Sequence, residues 1–174
     1  MRYVFLCLVL FTTLAIARDP KPKLNPVLVV DRYSVVFPDS TAGKHVIINF
    51  DNGQTRLDYC TQRTEFDGVE YLTAYSAFPD SGSAAAYAKI KPDVYLKGAR
   101  DAMRGKDGMV TLDEEITVDE APGRNLTIEA GKNVVRAKLF YKNQTLYQVL
   151  VAGPLDKVSG SEATRFLESY KLER

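Results

Sequence analysis

The sequence predicts an α+β domain: a central antiparallel sheet of about seven to eight strands with two main helices packed on it. Three observations carry this. Apolar and polar residues alternate with period two through most of the middle and late chain, as in half-buried strands. Two-residue turn signals (Asp67-Gly68, Gly131-Lys132, Asn143-Gln144) separate the alternating stretches. Only two segments break the alternation with helical spacing, and strands that come in runs favour α+β over a parallel doubly wound sheet.

In chain order, residues 1–17 read as a signal peptide: one basic residue, Arg2, then an apolar run from Val4 that ends in Ala15-Ile16-Ala17. The run is shorter than the roughly 20 residues of a bilayer-spanning helix. A retained anchor is the alternative to cleavage after Ala17. Residues 18–25 begin RDPKPKL, an extended basic tether with nothing to bury. Residues 26–174 form a single domain, long enough to bury a core without cross-links.

Tyr33, Val35 and Phe37 share a strand face that Pro38 ends. Val46, Ile48 and Phe50 belong to the next strand, Asp51-Asn52-Gly53 turns the chain, and the return strand runs through Tyr59 to about Phe66. Asp67-Gly68 leads into a strand over Tyr71–Phe78. A helix starts at Pro92-Asp93, where proline fits the first position, and stops at Gly105 or Gly108. Its predicted stripe is Val94/Tyr95, Gly98/Ala99 and Ala102/Met103. Val110, Leu112, Ile116 and Val118 make a strand interrupted in phase by Glu114, and Ala121-Pro122-Gly123 reads as a turn. Leu126, Ile128 and Ala130 face inward on the next strand. Val135, Ala137, Leu139 and Tyr141 face inward on the following one, leaving Arg136, Lys138, Phe140 and Lys142 on a solvated face. After a strand over Leu146–Ala152, Ser159 and Glu162 fit a capping box, and Ala163, Phe166, Leu167 and Tyr170 make the stripe of the final helix.

Charge and reactive groups narrow the function classes. Loss of Arg2 with the leader leaves basic and acidic residues in balance, so no long-range field recruits nucleic acid or anionic lipid. Cys60 is the single cysteine outside the leader, so no internal disulfide is expected. His45 is the only histidine. The two lie nearly symmetrically about the turn at 51–54, and a His45–Cys60 hydrolase or thiol site is the alternative to a surface imidazole and a buried thiol. One His and one Cys make no ordinary zinc site. The acids Asp113, Glu114, Glu115, Asp119 and Glu120 lack the order of a calcium loop and read as a solvated hairpin edge. No phosphate loop is present, and no cofactor is expected. Arg136, with Lys138 and Lys142, is the candidate for a binding stripe. Asn125 and Asn143 open glycosylation sequons that matter only in a host that uses them.

Six short segments occur in order: YSVVFP from Tyr33, YSAFP from Tyr75, PDVYLKGARD from Pro92, APGR from Ala121, LYQVLVAG from Leu146 and ATRFLESYKL from Ala163. Over roughly 30–172 the chain resembles the extracytoplasmic domains related to the photosystem II subunit PsbP and the Ran-binding protein Mog1. The resemblance implies an antiparallel sheet with helices on its faces and a non-catalytic accessory or binding role; it carries no catalytic residue set onto this chain. The expectation is an exported, periplasmic or extracellular domain with a protein partner in the envelope or outside the cell. A small-ligand or ion carrier, with its pocket between the sheet and the helix at 92–104, is a further alternative.

Overall fold

The computed structural model describes residues 27–30, 32–38, 44–51, 56–77 and 90–172. They form β1 (Val27–Val30), β2 (Tyr33–Val36), β3 (Lys44–Asp51), β4 (Arg56–Phe66), β5 (Val69–Ala77), α1 (Pro92–Arg104), β6 (Met109–Val118), β7 (Ala121–Ala130), β8 (Asn133–Lys142), β9 (Thr145–Pro154), α2 (Leu155–Val158), α3 (Ser161–Ser169) and β10 (Lys171–Leu172). The class is α+β, and the strands pair antiparallel. Strands β3 to β9 make one sheet in the order β3-β4-β5-β9-β8-β7-β6, and β1-β2-β10 make a second. Two meanders are thus joined by the β5–β9 pairing, with Tyr71 opposite Val151. The turn expected at Asn52-Gly53 and the leader and tether lie outside the described residues.

Local chemistry explains the hairpins. The β4–β5 turn places Asp67 and Gly68 at φ of 50° and 73°, and the β8–β9 turn places Asn143 and Gln144 at 50° and 60°. Two consecutive positive values match the right-handed twist of the flanking strands. The β6–β7 turn falls at Asp119-Glu120, with φ of 50° and 65°, rather than at the expected Ala121-Pro122-Gly123. Those three residues open β7 instead. Gly123 is required there by packing: a Cβ would stand 2.3 Å from the carbonyl oxygen of Leu139 and 2.9 Å from the Phe140 ring.

Both faces of the large sheet are covered by packing elements. On one face α1 sets Leu96, Tyr95, Ala99 and Met103 against Leu126, Leu139, Tyr141 and Leu150. Pro92 at the first turn and Gly105 at the end bound this helix as expected. Its buried stripe is rotated from the expected one: Val94 is 58% exposed and Leu96 is 3% exposed. The larger apolar side chain wins the contact because burial scales with apolar area.

On the other face β2 and α3 bring Tyr33, Val35, Phe37, Phe166 and Tyr170 onto Tyr71, Phe140, Val149 and Val151. Tyr170 stacks on Tyr33 at 5.2 Å and on Phe140 at 5.8 Å. The Tyr33 hydroxyl shares a 2.8 Å hydrogen bond with Thr73, and burial pushes its pKa up to about 12. This corrects the one-sided reading of β8. Phe140 and Val134 are buried as well as Ala137 and Leu139, because a second layer covers the face assigned to solvent.

The C-terminal stripe Ala163, Phe166, Leu167 and Tyr170 is buried as expected, but the capping box does not form. Ser159 closes α2, Gly160 is the N-cap of α3 without a side-chain cap, and Glu162 pairs instead with Arg165 at 2.6 Å. The short α2 displaces the helix start, since its last turn occupies the residue that would have capped.

Candidate functional site

Cys60 lies in β4 and is 2% exposed. Burial pushes its thiol pKa up, and a hydrogen bond with Tyr75 opposes part of that shift. A thiol held protonated is a poor nucleophile, because the thiolate is the reactive form. The register pairs Cys60 with Ile47 and His45 with Gln62. His45 and Cys60 are therefore diagonal positions on adjacent strands, roughly 7–8 Å apart, rather than a directly opposed pair.

Arg136 faces the layer formed by α2 and α3, not a solvated stripe. Its Nη1 donates to the carbonyl oxygen of Val158 at 2.7 Å and to Thr164 Oγ1 at 3.3 Å. One guanidinium thus satisfies the end of α2 and holds the first turns of α3 against the sheet.

The acidic run is divided between structural partners. Asp113 accepts from Arg100 at 2.8 Å and from Arg124 at 3.3 Å; Arg124 also reaches Asp93 at 2.6 Å and Glu115 at 3.3 Å. The Asp113 hydrogen bond is the main cause raising the Arg100 pKa, and the Asp93 bond does the same for Arg124. The network ties the start of α1 to the outer hairpin β6–β7. Asn125 donates to Glu114 at 3.2 Å, whereas Asn143 is exposed in its turn. Among the described residues, no group of three or more His, Cys, Asp or Glu side chains is placed to hold a metal ion. The interface between α1 and the sheet, where a carrier pocket was an alternative, is occupied by the packed apolar side chains described above.

The candidate site is a groove of about 160 Å3 between the β4–β5 turn and the α2–α3 junction. Phe66 and Val69 form its apolar wall, and Asp67, Asp156, Lys157 and Glu162 form its rim. Ser161 and Gly160 contribute the start of α3. Lys157 Nζ meets Asp67 Oδ2 at 2.5 Å across the mouth, and Arg165 holds Glu162 from outside. Both pairs are solvent-exposed and contribute little to stability.

Tyr71 lines the groove from β5 and is 2% exposed. Its ring stands edge-on to Phe166 at 5.2 Å. Burial raises its pKa, with Glu162 and Asp67 adding to the rise and Arg165 opposing it. That hydroxyl makes no hydrogen bond to another described residue. The groove holds the reason Arg136 matters: it anchors the wall that α2 and α3 present. Sequence reading missed this site because its parts lie far apart, Asp67 and Lys157 being separated by 90 in the numbering. Asp67-Gly68 was legible as a turn and Glu162 as a helix start, but nothing in the sequence joins them.

No family model matches the chain, and no curated protein matches it. Among solved structures, the chain is similar to that of a Pseudomonas aeruginosa protein of unknown function, with 8% identity, a TM-score of 0.39, and coverage of 75% of this chain and 83% of that one. Likeness at that level carries no argument about function.

Proposed function

We propose that this chain is an exported, non-catalytic accessory domain of the PsbP/Mog1-like kind, which binds a protein partner in the periplasm or outside the cell. The single observation that carries the binding role is the groove: a charged, exposed rim beside Tyr71, a residue 2% exposed whose hydroxyl makes no hydrogen bond among the described residues. The leader at 1–17 and the six ordered segments support the export and the family reading. No helix among the described residues is long and apolar enough to cross a membrane.

The groove can recognise but is poorly equipped to transform. Nucleophilic chemistry needs a nucleophile with a base in hydrogen-bond reach, and the one aliphatic hydroxyl nucleophile of the groove's lining, Ser161, makes no hydrogen bond to a base among the described residues. Cross-linking of the tagged full chain in its native envelope fraction tests the reading. One protein should be recovered with the wild type and lost with Ser161→Arg, which fills the groove. Recovery unchanged by that variant refutes the groove as the docking site, and background alone refutes the binding role.

A further inference from the structure

We propose that the groove at the α2–α3 junction takes a primary ammonium group, carried by a lysine side chain of a partner or by a free alkylamine. The inference rests on the binding-domain reading and names the chemistry of its site.

An ammonium has three N–H donors and no acceptor, so it needs a cup of acceptors. Tyr71, which lines the groove, offers its hydroxyl oxygen: the residue is 2% exposed, and the hydroxyl makes no hydrogen bond among the described residues. Asp156 offers a carboxylate at the rim. Lys157 is already held by Asp67 and Arg165 by Glu162, so the rim attracts cations within the fold itself. Asp156 forms no ion pair among the described residues, which leaves one negative charge in excess.

Phe66 and Val69 provide an apolar wall for the methylene stem that carries an ammonium head. An anion would meet the Asp156 carboxylate, while the cations that would attract it, Lys157 and Arg165, are already paired with Asp67 and Glu162. The amide end of α3 opposes a cation, but Glu162 in its first turn offsets that dipole. The volume of about 160 Å3 is also well below the roughly 300–1,000 Å3 of ordinary small-molecule sites, so it suits one side chain rather than a whole metabolite.

The test is an NMR titration of the full chain with n-butylamine at neutral pH, with n-butanol as the uncharged control. Saturable shifts at the Tyr71 and Ser161 amides are expected with the amine and not with the alcohol. Tyr71→Phe keeps the ring and its packing, and should weaken amine binding about tenfold, the worth of one charge-assisted hydrogen bond. Asp156→Asn, on an exposed helix, should weaken it roughly threefold. Absence of saturable shifts, equal response to the alcohol, or undiminished binding in Tyr71→Phe would each overturn the proposal. A second arm compares an acetyl-lysine-amide ligand (free ε-amine) with spermidine: tighter binding of the former assigns a partner's lysine, and of the latter a free polyamine. Amine binding is read without any partner, so a cross-linked partner with no amine response defeats this inference alone. The converse defeats the protein-docking reading alone.

Discussion

Replacing Arg136 with methionine separates a structural arginine from one that displays charge to solvent. Methionine keeps most of the aliphatic stem and deletes the donors to Val158 O at 2.7 Å and Thr164 Oγ1 at 3.3 Å. A hydrogen bond to a charged group contributes about 1.5–3 kcal/mol net. Its loss also leaves the Val158 carbonyl unpaired beneath α3, where Val158 itself is fully buried. The longer contact to Thr164 adds little, so the expected loss is about 2 kcal/mol. For a chain of this size that lowers Tm by roughly 4–8 °C. Urea denaturation gives the free energy, and hydrogen exchange locates the loss, with amides of α2 and α3 exchanging faster while those of α1 keep their protection. Thr164→Val should cost under about 0.5 kcal/mol, as a weak contact at 3.3 Å implies. A cost below about 0.5 kcal/mol for Arg136→Met, or uniform loss of protection across the sheet, would refute the anchoring role.

Four further outcomes follow from the packing and the turns. Leu96→Ala should cost about 2–5 kcal/mol in urea denaturation and Val94→Ala should stay within about 0.5 kcal/mol, because the first residue is 3% and the second 58% exposed; a larger loss at Val94 would reverse the assigned helix face. Glu120 holds φ of 65° in a two-residue turn, so Glu120→Gly should stabilise by about 0.5–1 kcal/mol, and destabilisation would contradict the turn geometry. Burial raises the Glu70 pKa above 4.5, with Arg63 opposing the shift. A raised folded pKa means that the group's contribution is fully present below the unfolded value and lost as pH rises through the folded one. The stability of Glu70→Gln relative to the wild type should accordingly fall as pH drops from neutral toward 4.5, and a difference independent of pH would contradict the shift. Cys60 should resist a small disulfide reagent in the native protein and react at once in denaturant; rapid native labelling would show an accessible, ionised thiol.

Local chemistry made several elements legible in the sequence. Pro92 and Gly105 bound α1, Asp67-Gly68 and Asn143-Gln144 turn the hairpins, and Ala163, Phe166, Leu167 and Tyr170 bury one side of the last helix. Each depends on residues within about one or two helical turns or one hairpin, the range over which backbone preference and side-chain period act. Tertiary contacts decided the rest. Alternation shows that β8 has two faces but not whether one is wet, and Phe140 became core only because β2 and α3 cover it. The pairing of β5 with β9, the separate β1-β2-β10 sheet and the meeting of Asp67 with Lys157 across 90 positions arise from long-range packing. The groove and its tyrosine exist only where those distant pieces meet, since no local pattern records which remote surface a side chain will face.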